Sequence, residues 1–127
     1  MRKLLLVFFG GGFGSGARYL FGAWAAQAFG PAFPYGTIAI NALGSFLIAL
    51  IMEVSLTTRL VGPDLRLALT TGVMGGFTTY STFNYETLGL FRQGAWLLGC
   101  ANLAVTVVLC LLLGALGFLA GRAVAGS

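Results

Sequence analysis

The side chains able to do chemistry are few, and their spacing groups them. Thr37, Asn41 and Ser45 stand four apart, so they share one face of a helix. Asn102 and Thr106 repeat that spacing further along. Between the two pairs lies Thr78-Thr79-Tyr80-Ser81-Thr82-Phe83, where hydroxyls and two aromatic rings crowd together. Almost every polar group here offers an N–H or O–H donor, and none is an acid. A path lined in this way suits an anion or a neutral solute better than a proton or a cation. A ring's edge is electropositive, so Tyr80 and Phe83 add to the same preference if they turn their edges inward; core packing is the commoner use of such rings. An unsatisfied amide in hydrocarbon is costly, so Asn41 is either glue between helices or a donor lining a pore. Arg18, beside Tyr19, is the one cation inside an apolar run. A charge at that depth costs at least ~2.5 kcal/mol on insertion scales. Arg18 therefore snorkels to the far interface, attracts an anion, or pairs with Glu86 or Glu53.

What is missing excludes as much. The chain has no His, hence no Ser-His or Cys-His pair and no imidazole metal ligand. Its three acids, Glu53, Asp64 and Glu86, are scattered and give no close carboxylate pair. No nucleophile–base pair remains, so the chain is not read as an enzyme. Cys100 and Cys110 lie ten apart in an apolar run and face different sides of a helix, which makes them small apolar fillers rather than a bridge. The net charge is +4, but no basic cluster exists, so no nucleic-acid partner is expected.

These residues need something to hold them. The chain has 127 residues, 58% hydrophobic and 8% charged, with a mean hydropathy of +0.96. Soluble domains carry roughly 25% charged residues, so this composition belongs in a bilayer. Four segments are long enough to span it. They run from about Leu4 to Phe29, Gly36 to Leu56, Leu65 to Phe91 and Ala95 to Ala120, within a single domain covering residues 1–127. The first is too long in its apolar stretch for a cleaved signal peptide. The short link Arg92-Gln93-Gly94 makes the last two segments antiparallel neighbours. As one helix the third segment would reach about 40 Å, beyond the ~30 Å that a bilayer core requires. Its Gly75-Gly76 pair and the hydroxyl run after it make a poor helix interior, which predicts a break near residues 75–82. The alternative is a kinked helix whose hydroxyls bond i−4 carbonyls. Glycines paired four apart, Gly10/Gly14, Gly12/Gly16, Gly72/Gly76 and Gly117/Gly121, predict close helix contacts.

Three motifs, in order, give the chain a resemblance over nearly its whole length. They are Gly11-Gly12-Phe13-Gly14-Ser15-Gly16-Ala17-Arg18-Tyr19, then Gly36-Thr37 with Asn41 and Gly44, then Gly75-Gly76-Phe77-Thr78-Thr79-Tyr80-Ser81-Thr82-Phe83. The chain resembles the Fluc/CrcB family of fluoride channels. The resemblance implies an all-α membrane protein of the bacterial inner membrane, with four transmembrane helices and the third broken. It implies an antiparallel, dual-topology homodimer with two pores and passive, selective fluoride export. It puts Asn41, Tyr80, Ser81, Thr82, Phe83 and Thr106 on the fluoride pathway, and Arg18 at a vestibule or in a structural role. It implies a central structural sodium ion held by backbone carbonyls of Gly75 and Thr78 of both subunits. Two positions depart from the pattern: Tyr80 stands where Phe is usual, and Asn102 where many relatives carry Tyr. The main rival is a small four-helix proton-coupled multidrug antiporter, which would need a membrane carboxylate in helix one; helix one has Arg18 instead. A passive subunit of a larger membrane complex is a third reading. Arg2, Lys3, Arg59, Arg66 and Arg122 fall on one side of such a bundle and Arg92 on the other, which favours one orientation by the positive-inside rule.

Overall fold

In hydrocarbon a backbone must satisfy its own hydrogen bonds, and this chain does so with helices alone. The computed structural model describes residues 1–127 and contains no strand. Three helices are long and apolar enough to cross a membrane: α1 (Arg2–Phe29), α2 (Tyr35–Thr57) and the last, α6 (Trp96–Gly126). The remaining expected span is built in pieces. It starts with α3 (Pro63–Leu67), continues as a π-helical stretch (Ala68–Met74) and ends its first half in α4 (Gly75–Phe77). Thr78 and Thr79 are extended, and α5 (Tyr80–Arg92) follows. Turns join the helices where the sequence punctuates: Gly30 and Gly94 take φ of 77° and 79°, a region that glycine enters without a steric penalty.

The interruption is narrower than residues 75–82 and lies after the glycine pair. Gly75 and Gly76 are helical. They are small for another reason. A Cβ on Gly76 would overlap the carbonyl of Gly11 and crowd the amide of Ser15, and one on Gly14 would overlap the carbonyl of Val73. Gly10 meets Gly72 in the same seam. So α1 lies backbone to backbone on the first half of the broken span. On the other side of the molecule, Gly117 and Gly121 let α6 settle on α2 against the Phe46 carbonyl and the Glu53 stem. Contact between α2 and α6 is the most extensive in the fold, with α5 also against α6. The Gly12/Gly16 pair touches no other helix of the subunit.

Two ion pairs gather the charges at one end. Arg2 meets Asp64 at 3.1 Å and Arg122 meets Glu53 at 3.5 Å. The opposite end carries the Pro31–Pro34 turn and the Arg92-Gln93-Gly94 link. Cys100 and Cys110 are unbridged.

Candidate ion pathway

A break at membrane depth frees backbone groups, because each helix end leaves its last carbonyls and first amides without intrahelical partners. Side chains from α1, α2 and the break itself take up some of them. Asn41, on α2, clips both polar groups of Thr79: its Oδ1 accepts from the Thr79 amide at 2.8 Å, and its Nδ2 donates to the Thr79 carbonyl at 3.1 Å. The Thr79 hydroxyl caps α5 by accepting from the Thr82 amide at 3.2 Å, and donates to the Thr82 hydroxyl at 3.0 Å. Arg18 Nε donates to the Gly76 carbonyl at 3.0 Å.

Three carbonyls, those of Gly75, Phe77 and Thr78, gain nothing from this arrangement. In an unbroken helix the Thr79 amide would bond the Gly75 carbonyl, and the Thr82 amide the Thr78 carbonyl. Both amides point elsewhere, the first to Asn41 and the second to the Thr79 hydroxyl. Gly75 is exposed and Thr78 half-buried. Unwound carbonyls left open beside a broken helix are the donor set of sodium sites in membrane proteins, so the residues present fit such an ion.

The predicted residues divide between two cavities. A groove of about 700 Å³ is lined by Asn41, Gly75, Thr78, Tyr80, Phe83 and Thr106, with Ser45 and Thr79 beside them. Tyr80 and Phe83 meet edge to face, with centroids 5.8 Å apart. They differ in burial: Phe83 is buried, whereas Tyr80 is 78% exposed and projects from the subunit. A second cavity of about 1040 Å³ opens toward the Pro31–Pro34 end and holds Arg18, Thr37, Thr82 and Glu86. Thr79 lines both cavities, so its clip to Asn41 stands where they meet. Ser81 is exposed and lines neither; its hydroxyl lies 3.4 Å from that of Thr79.

Arg18 forms neither of the expected ion pairs. Glu53 sits at the far end with Arg122. Glu86 shares the cavity with Arg18 but is not bonded to it, and its Oε1 is buried without a partner. A carbonyl at the foot of the break takes the guanidinium instead. Thr79 is the residue the sequence reading passed over. Its signal was local: a Thr directly before a helical run is an N-cap. Asn102 is also more committed than its spacing indicated. It is 1% exposed and bonds Thr87 on α5 as well as Thr106.

Comparison with known proteins bears on this arrangement. A family model described as CrcB-like protein, Camphor Resistance (CrcB), matches residues 5–118. The fluoride-specific ion channel FluC of Sorangium cellulosum is 51% identical over 122 residues, covering 96% of this chain and 96% of its own length. The FluC of Anaeromyxobacter sp. (strain K) is 61% identical over 111 residues, covering 87% and 88%. That of Geotalea uraniireducens is 45% identical, covering 97% and 99%.

Proposed function

Because the chain belongs to the CrcB family, we propose that it is a fluoride-selective passive channel that exports fluoride from the cytoplasm. It is a multi-pass protein of the bacterial cell membrane, and its relatives are ion channels rather than enzymes. The observation that carries the reading is an acid-free groove, lined by Asn41 and hydroxyls, at the break of a helix. Fluoride is small and strongly hydrated, so close donors must replace its water. The second N–H of the Asn41 amide is left over after the clip to Thr79. The Thr106 hydroxyl and the ring edges of Tyr80 and Phe83 in the groove, the Thr82 hydroxyl in the wider cavity and the Ser81 hydroxyl beside Thr79 complete the proposed path. Arg18 supplies positive potential to the wider cavity, where an anion enters.

The working unit is an antiparallel homodimer with two pores. The groove is open on one side, and Tyr80 stands in the open. A second copy would wall the groove. A sodium ion held by the Gly75 and Thr78 carbonyls of both subunits would offset inward-pointing dipoles and add positive potential at the shared axis. A proton-coupled antiporter would need a membrane carboxylate: α1 has no acid and Glu53 is ion-paired at one end, which leaves Glu86 in the wider cavity, and proton-coupled drug efflux would be its mark.

Purified protein in liposomes tests the reading directly. Fluoride efflux, followed with a fluoride electrode, is expected at rates far above those of protein-free liposomes, with chloride retained. Chloride loss at a comparable rate, or fluoride retained, overturns it.

A further inference from the structure

One side chain in the molecule is sealed almost completely, and it is polar: Asn102 is 1% exposed. Its hydrogen bonds run in a chain with a fixed direction. The Thr87 hydroxyl donates its only proton to the Phe83 carbonyl at 2.7 Å, and a carbonyl can only accept. The Thr87 oxygen must then accept from Asn102, so the Nδ2 of Asn102 faces Thr87, at 2.8 Å. That places Asn102 Oδ1 toward Thr106, whose hydroxyl donates to it at 3.2 Å. The carbonyl of Phe83 thus sets the proton order along the whole chain. Thr106 lines the groove, and while its proton points inward it shows the groove only oxygen lone pairs.

We propose that Asn102 is a positioning residue that withholds the Thr106 proton from the groove and thereby weakens fluoride binding there. The inference rests on the fluoride-channel reading. To donate to fluoride, Thr106 must turn away from Asn102 and leave Oδ1 without a donor in a sealed site. An unpaired buried acceptor is disfavoured about tenfold or more in population. The proton order, and with it the affinity of this step, is set by a residue pair on α5 and α6 that never touches the groove.

Two variants release the proton by different routes. Asn102→Leu removes the acceptor. Thr87→Val removes the group that orients the amide, which can then turn its NH2 to the Thr106 oxygen. Efflux measured against fluoride concentration separates affinity from the amount of folded channel, which scales only the maximal rate. Each variant is expected to lower the half-saturating fluoride concentration by up to about tenfold, and neither is expected to shift it in a Thr106→Val background. Shifts that persist in that background, or no shift from either variant, overturn the inference. If Thr106→Val alone changes nothing, Thr106 is not on the pathway and the inference falls with it. That outcome is distinct from one in which Thr106→Val alters fluoride binding and the two variants do not.

Discussion

Asn41 holds the break together and is also the central donor proposed for the pathway, and substitutions separate these tasks. Asn41→Asp keeps an acceptor for the Thr79 amide but loses the donor to the Thr79 carbonyl and places negative charge beside an anion path. Flux is expected to vanish while the protein still folds; undiminished fluoride efflux from liposomes carrying this variant would remove Asn41 from the pathway. Arg18→Met leaves the Gly76 carbonyl without its donor, at an expected cost of about 1–3 kcal/mol. It also removes one of the two arginines lining the cavity, the other being Arg92, so efflux should fall below wild type at low ionic strength, with a smaller deficit at high salt, where screening already weakens wild-type attraction. Spacing made Thr37, Asn41 and Ser45 legible as one face, and left Asn41 between glue and donor. The clip to Thr79 establishes the first role for one of its N–H groups and leaves the other uncommitted. The partner of Arg18 was not legible, because a backbone carbonyl exposed by a break carries no mark in the sequence.

Among the elements, the seam between α1 and the first half of the broken span leaves the least room for added atoms. A Cβ at Gly14 overlaps backbone, which cannot swing aside as a flexible side chain can. Gly14→Ala is therefore expected to destabilise by about 1–3 kcal/mol, read as a lower melting temperature in detergent, whereas Gly12→Ala, which meets nothing in its own subunit, should leave the monomer fold unchanged. The four small-residue pairs look alike in sequence; only the direction each faces distinguishes seam from open surface. The existence of a break near residues 75–82 was readable from its poor helix formers, but the two residues at which it opens, Thr78 and Thr79, were not. Gly75-Gly76 looked like the weak point, but both are helical and Gly76 packs tightly on α1. The helix opens two residues later, where the side chains of Asn41 and Thr79 substitute for helical bonds. Nothing in Ala68–Met74 marked it as π-helical.

At the scale of the molecule, the open groove and the exposed Tyr80 ask for a second copy. Light scattering of the detergent-solubilised protein is expected to give a protein mass near twice 13.2 kDa; a monomer that conducts fluoride would refute the dimer as the working unit. The count of ionisable groups pointed to a membrane protein, and their distribution favoured one orientation. Arg2–Asp64 and Arg122–Glu53 place both chain ends at the same face as the Thr57–Gly62 loop.

The divided third span also bears on how the chain enters the membrane. Its second half, Tyr80–Arg92, covers about 20 Å as a helix, too short to cross the ~30 Å core, and it carries Asn84, Glu86 and Arg92. A ribosome-bound chain ending at Gly94 would offer the translocon a segment whose polar groups oppose its apolar ones. Only when α6 emerges does that segment find the Asn102 side chain that bonds Thr87. Membrane integration of the third span is therefore expected to wait on a helix synthesised after it.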